Sequence, residues 1–304
     1  MAHYLGVFDW ASISPEDRLT ANGTFLDPSS LRTGYQLGGE LGEEEGRRRQ
    51  GLPAKQRVPR LNDRHGLNRS QFTRDADRIR FQATLSTDPD QLAFTAGYLQ
   101  KNWVQGGRYD SRFRMDMPMM AAVSMLSARY QVYKTQWQSP AGGARVAIEI
   151  YCDPHHARNV PRMAQALRDG LAYYSKAFGP YQYRQIRLLE FPRYKSFAQS
   201  YANTIQTSES AGFIDDLHGK NSPDLTYFIT NHELGHQWWG HQEVGADVQG
   251  ASMLVESLAE YSAIMTAKHA FSPNQMQQFT DVTHRQALAR VSDACQLRCV
   301  TSGS

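Results

Sequence analysis

A chain that sets two histidines four residues apart around a glutamate, as His232-Glu233-Leu234-Gly235-His236 does, has few structures open to it. The segment must be helical for these groups to act together, because residues four apart share a helix face, about 6 Å apart along the axis. Two imidazoles so placed can converge on one Zn²⁺. The glutamate points toward the same cleft, where it can take a proton from a metal-bound water. A solvated polar face would use the same residues, but the neighbours argue against it. Leu225, Phe228, Ile229, Trp238 and Trp239 surround the motif, and polar groups among large apolar ones are costly unless paired or metal-bound. Ser222-Pro223, an N-cap followed by proline, is expected to start the helix and Gly240 to end it.

A zinc hydrolase needs a third protein ligand and an open position for water. A histidine-only set of the metzincin kind would require glycine at 239 and histidine at 242, where this chain has Trp239 and Gln242. His241 lies about 140° around the helix from His236, a poor position for a ligand. It is expected to be a hydrogen-bonded or surface residue at the helix end. The next segment, Ser252 to Tyr261, has helical spacing, with Leu254, Leu258, Tyr261 and Met265 as its apolar stripe. Glu256 and Glu260 lie one turn apart on it. Either can coordinate, leaving the other as a supporting or solvated charge.

Residues 232 to 261, from His232-Glu233-Leu234-Gly235-His236-Gln237-Trp238-Trp239-Gly240 through Val255-Glu256-Ser257-Leu258-Ala259-Glu260-Tyr261, resemble the gluzincin aminopeptidases, the membrane alanyl aminopeptidase family. The likeness is strongest to the peptidase domain that some bacterial transporter proteins carry fused to a membrane permease. It implies that Glu256, opening Glu256-Ser257-Leu258-Ala259, is the third ligand. The chain has one residue more than the usual spacing from the second histidine, which an extra residue in the loop Val244 to Gly250 would supply. Upstream, Glu209-Ser210-Ala211-Gly212-Phe213 resembles the family segment whose glutamate holds the substrate's α-amino group, although Gln206, Thr207 and Ser208 replace its first residues. A fixed carboxylate there pairs with an ammonium and places the first peptide bond for attack.

The resemblance thus implies a zinc aminopeptidase with one Zn²⁺ on His232, His236 and Glu256, Glu233 as catalytic base, Glu209 as amine anchor, and peptides with a free N-terminus as substrates. It covers about residues 50 to 270. The family's transition-state tyrosine lies well downstream of the third ligand, whereas the only tyrosine after Glu256 is Tyr261, expected to pack. The chain therefore reads as shortened at its C-terminus, with its activity possible to impair by that loss. A second reading is a zinc-stabilised module of weak or no turnover that binds peptides and associates with a membrane transporter.

The organisation implied is α+β, an N-terminal β-rich domain followed by a thermolysin-like zinc catalytic domain. Residues 1–70, rich in turn formers, read as an irregular lead-in. Residues 71–148 read as the β-rich domain, with strand alternation at Ile79, Phe81, Ala83 and Leu85 and further strands near 129–137 and at Val146, Ile148 and Ile150. Residues 149–304 read as the catalytic domain. There Val160, Met163, Leu167, Leu171, Tyr174 and Phe178 recur at helical spacing before Gly179-Pro180, and Gln185 to Phe191 reads as a strand.

Charge and composition exclude other classes. A net charge of +3 is too small and scattered for a nucleic-acid groove, and the block Glu43 to Arg49 cancels internally as a solvated loop. Cys152, Cys295 and Cys299 make no disulfide framework and read as free thiols. The most apolar stretch, Met117 to Ala128, falls short of the ~20 residues of a membrane span. Its neighbourhood of Met115, Met117, Met119, Met120 and Met125 reads as core filling. With no signal peptide at Met1 to Asp9, the expected location is cytoplasmic or membrane-associated.

Overall fold

The computed structural model describes residues 44–54, 59–71, 78–140, 142, 145–192, 197–217, 224–251 and 253–280. The expected N-cap at Ser222, Ser252, and the cysteines at 295 and 299 lie outside them. The chain divides into two compact units, one of residues up to Ala128 with Glu243–Val255, the other of Arg129–Gln242 with Glu256 onward.

In the first unit, helices α1 (Glu44–Arg49) and α2 (Arg64–Leu67) precede the strands β1 (Gln82–Thr87), β2 (Leu92–Phe94), β3 (Tyr98–Gln105), β4 (Arg108–Arg114) and β5 (Leu126–Ala128). The alternating segment around Leu85 becomes the antiparallel sheet β1-β4-β3, and β2 pairs with β5. Apolar residues from both sheets, among them Phe94, Phe113 and Leu126, are buried, and so are Met115, Met119 and Met120. Met117 and Met125 are exposed instead. Gly97 adopts φ +90°, and a Cβ there would stand 2.7 Å from the Arg114 carbonyl carbon, so the bend into β3 admits only glycine. The Glu43–Arg49 block differs from a solvated loop. Its described part is helical, and Arg47 is buried with Nε donating to the Pro53 carbonyl at 2.8 Å.

The second unit is built on a mixed sheet in the order β6-β7-β8-β10-β9. Its strands are β6 (Gln131–Gln138), β7 (Arg145–Cys152), β8 (Gln185–Phe191), β9 (Ala198–Tyr201) and β10 (Thr204–Ser208). Strands β7, β8 and β10 run parallel, flanked by antiparallel β6 and β9. Central β8 is buried along almost its whole length, as a strand covered on both faces must be. Between β7 and β8 comes α3 (Val160–Ala177), which buries Val160, Met163, Leu167, Leu171 and Tyr174, the stripe expected from spacing. Helices α4 (Leu225–Gly235) and α5 (Leu258–Ala270) follow the sheet.

Two helix expectations need correction. Helix α4 starts at an N-cap supplied by Asp224, whose carboxylate accepts the Tyr227 N–H, and ends at Gly235 rather than Gly240. The segment preceding α5 is a π-helical turn, Met253–Ser257, and the buried face of α5 is not the large apolar stripe. Ala259, Ser262, Ala263, Thr266 and Ala267 are buried, while Leu254 and Tyr261 are 38% and 53% exposed. Small residues face inward here because α4 and α5 approach too closely for large ones.

Candidate metal centre

Helix α4 is held against α3 by contacts that do not involve the two histidines. Arg162 on α3 pairs with Asp224 at 2.5 Å and stacks over the Tyr227 ring at 4.2 Å. The Tyr227 hydroxyl donates to Asp169 at 2.9 Å, and the Tyr174 hydroxyl donates to the Asn231 carbonyl at 2.9 Å. At Gly170 a Cβ would stand 2.2 Å from Asn231 Oδ1 and 2.7 Å from Leu234 Cδ2, so α3 admits α4 only through a glycine. Gly235 faces α5 in a less severe contact, where its Cβ would meet the Ala259 Cα at 3.2 Å.

That approach brings three donors together. His232 Nε2 and His236 Nε2 are 3.1 Å apart, and Glu256 Oε2 lies 3.6 Å from the first and 3.5 Å from the second. Zinc bonds of about 2.0–2.1 Å in a tetrahedron place neighbouring ligand atoms ~3.3 Å apart. The three separations therefore fit a zinc ion, with Glu256 half exposed on the open side.

The other ring nitrogens each face an oxygen. His236 Nδ1 is 3.1 Å from the Trp239 carbonyl, which sets its Nε2 toward the other donors. Glu260 Oε2 is 3.1 Å from His232 Nδ1, although the approach is off the axis of a good hydrogen bond. The two acids one turn apart thus divide: Glu256 faces Nε2 of both histidines and Glu260 faces Nδ1 of one. Burial lowers the His232 pKa, but Glu256, Glu260 and the charge of Glu233 more than offset it and carry it up to about 10. Hydrogen bonding to the two histidines holds the Glu256 carboxyl well below the usual carboxylate range.

Glu233 is buried at 6% exposure, and its Oε2 has no hydrogen-bond partner. A buried carboxylate oxygen without a partner is costly, and the arrangement suits a group whose partner is a water or substrate. Burial pushes its pKa up, with the two histidines pulling in the opposite direction. His241 is buried and turned away, with Nε2 3.3 Å from the Ser200 carbonyl.

Glu209 is not part of the His232 cluster. It opens a 3₁₀ turn directly after β10, and its Oε2 is 3.8 Å from His156 Nδ1, which also makes a short hydrogen bond to buried Glu190. His156, Glu190 and Glu209 form a second group of closely spaced donors. Glu190 and His156 were absent from the residues singled out in the sequence. An acid inside the apolar run Gln185 to Phe191 was the available signal, since a charge in a buried strand needs a partner.

Gln237, given no role by the sequence, is fully buried beside the motif. Its amide donates to Ser200 Oγ at 2.5 Å and the Tyr201 carbonyl at 2.8 Å, and its Oε1 accepts the Asn203 N–H at 3.0 Å. It ties the end of α4 to the β9–β10 hairpin, where Asn203 takes φ +52°.

No family model matches the chain, and no curated protein matches it by sequence. Solved structures do. The chain is similar to aminopeptidase A of Legionella pneumophila in complex with aspartic acid, with a TM-score of 0.56 and 16% identity over 66% of this chain and 24% of that one. It is similar also to a two-domain M1 zinc metallopeptidase variant bound to L-tryptophan, with a TM-score of 0.52 and 15% identity over 71% of this chain and 45% of that one. The chain spans less than half of either. It shares the fold of M1 zinc metallopeptidases, which is α+β. Among the described residues no helix is long and apolar enough to cross a membrane.

Proposed function

We propose that this chain is a zinc-dependent aminopeptidase of the gluzincin kind, with one Zn²⁺ on His232, His236 and Glu256. The carrying observation is the mutual spacing of three donor atoms at 3.1, 3.5 and 3.6 Å beside a buried, unpartnered carboxylate on the same helix. The shared fold with M1 zinc metallopeptidases supports the same reading.

A zinc ion bound there lowers the pKa of water and polarises a carbonyl oxygen. The protein's part is to move protons and hold the substrate. Glu233 takes the proton of the attacking water on its carboxylate and returns it to the leaving amine nitrogen. Its burial favours proton uptake. Glu260 and the Trp239 carbonyl keep the two imidazoles turned so that both Nε2 atoms face the reacting centre. Glu209 pairs with the α-ammonium of a peptide and confines attack to the first bond.

The test combines zinc analysis with hydrolysis of one peptide in unblocked and N-acetylated forms. The expected result is one equivalent of zinc, cleavage of the unblocked form, and loss of cleavage with zinc retained in Glu233→Ala. Stoichiometric zinc with no cleavage of either form would sink the enzyme reading and leave a zinc-stabilised binding module. Equal cleavage of both forms would remove the role given to Glu209.

A further inference from the structure

The second donor group lies where an open parallel sheet presents its ligand-binding edge. Strands β7, β8 and β10 are adjacent and parallel. His156 sits in the 3₁₀ turn Pro154–Asn159 just after β7, Glu190 is the penultimate residue of β8, and Glu209 directly follows β10. All three therefore gather at the carboxyl ends of the parallel strands.

The group differs from the His232 cluster in one decisive dimension. Where the donors of that cluster stand at the ~3.3 Å spacing of tetrahedral ligands, His156 and Glu190 are at hydrogen-bond separation. This is a hydrogen-bonded pair beside a third group rather than a metal cradle. Glu190 is 1% exposed and doubly engaged, with Oε2 accepting the Asp153 N–H at 2.6 Å and Oε1 bonded to His156 Nδ1. The Tyr130 hydroxyl donates to its backbone carbonyl at 2.7 Å. His156 is thus fixed by a buried, fully engaged anchor.

Among the described residues Glu209 has no such anchor of its own. Its turn lacks a side-chain cap, and its carboxylate is partly exposed with His156 in ion-pair reach at 3.8 Å. At that distance the imidazole orients the carboxylate electrostatically while leaving its oxygens able to accept from an ammonium.

We propose that His156, clamped by Glu190, is a positioning residue for Glu209, holding its carboxylate ready for the α-ammonium of the substrate. The inference rests on the reading of Glu209 as amine anchor and adds two residues that act through it. Fixing a flexible carboxylate before binding removes part of the ordering cost of capture.

The test measures binding rather than turnover, with the zinc-loaded full chain carrying Glu233→Ala. The probes are an unblocked alanine tripeptide and its N-acetylated form, titrated by calorimetry. Glu209→Gln is the control: if it leaves the preference for the unblocked form intact, the anchor reading falls and this proposal with it. With the anchor standing, His156→Ala is expected to weaken binding of the unblocked peptide by about tenfold and to leave the acetylated peptide and zinc content unchanged. His156→Asn, whose amide nitrogen can stand in place of Nδ1 toward Glu190 but carries no charge, is expected to restore part of that loss and to bind more tightly than His156→Ala. Unchanged or tighter binding in His156→Ala overturns the proposal, as does an equal loss for both peptides. Should His156→Ala fail to fold, His156→Gln, whose amide reaches one bond too far, is read against the same thresholds.

Discussion

Gly235 lies against Ala259 so closely that a Cβ on the glycine would stand 3.2 Å from the alanine Cα. Gly235 adjoins His236 on α4 and Ala259 lies one turn after Glu256, so the contact lies beside the donor group. Gly235→Ala gains up to about 1 kcal/mol of helix propensity but must move α5 by a few tenths of an ångström. Its denaturation midpoint is expected to change little while its zinc affinity falls. Gly235→Val is expected to lose about 1–3 kcal/mol of stability and stoichiometric zinc. Chelator competition and denaturant melts check both, and wild-type affinity in Gly235→Val would mean that the contact does not govern the donor spacing.

Glu256 and Glu260 should separate by the atoms they face. Glu256→Gln is expected to abolish stoichiometric zinc, since its oxygen completes the donor triangle. Glu260→Gln, which alters the group facing Nδ1 of His232, is expected to weaken zinc by about 10–100-fold. Competition with a chromophoric chelator ranks them, and the reverse order would make Glu260 the ligand.

Gln237→Leu keeps volume and removes the hydrogen bonds to Tyr201, Asn203 and Ser200. The Asn203 N–H and the Tyr201 carbonyl then each lose a buried hydrogen-bond partner. A loss of about 2–3 kcal/mol is expected, read as a shift of the urea midpoint at constant slope. A change under half of that would indicate that water reaches these groups.

The Glu190–His156 pair predicts a pH dependence of stability. Burial pushes the Glu190 pKa above 4.5, although the Asp153 N–H and His156 pull it back. For His156, burial lowers the pKa, but Glu190, Asp153 and Glu209 outweigh it and raise it above 6.5. Both groups bind protons more tightly folded than unfolded, so the pair's contribution to stability falls as pH rises. The decline begins near 4.5 for Glu190, and the His156 contribution, complete below 6.5, is lost as pH passes through its raised value. Unfolding free energies of wild type and Glu190→Gln across the acid-to-neutral range test this. The variant should show the shallower decline, and parallel curves would exclude the pair as its source.

Much of the second unit was legible because its signals are local. The stripe on α3 and the strand β8 follow from spacing alone, whereas the start of α4 does not: its cap is Asp224, not the expected Ser222-Pro223. The segment around Glu256 was less legible. Its spacing suggested an α-helix with Leu254, Leu258, Tyr261 and Met265 inward, but the first turn is π-helical and Leu254 and Tyr261 face out. A π turn takes up one residue more than an α turn, and here that turn carries Glu256. Periodicity reports which residues could form a face, whereas the close neighbour decides which face is used.

By itself the sequence determined the chemistry available on α4, because two histidines and a glutamate at helical spacing share one side wherever the helix is placed. It also carried the glycines at 170 and 235 that permit close packing. Only the tertiary structure decided which acid faces which nitrogen, since Glu256 and Glu260 are equivalent until α5 is fixed in rotation against α4. The same holds for His156, Glu190 and Glu209, distant in sequence and joined only by the order of three parallel strands. Ligand type is a property of residues, but donor spacing of a few ångströms is a property of packing.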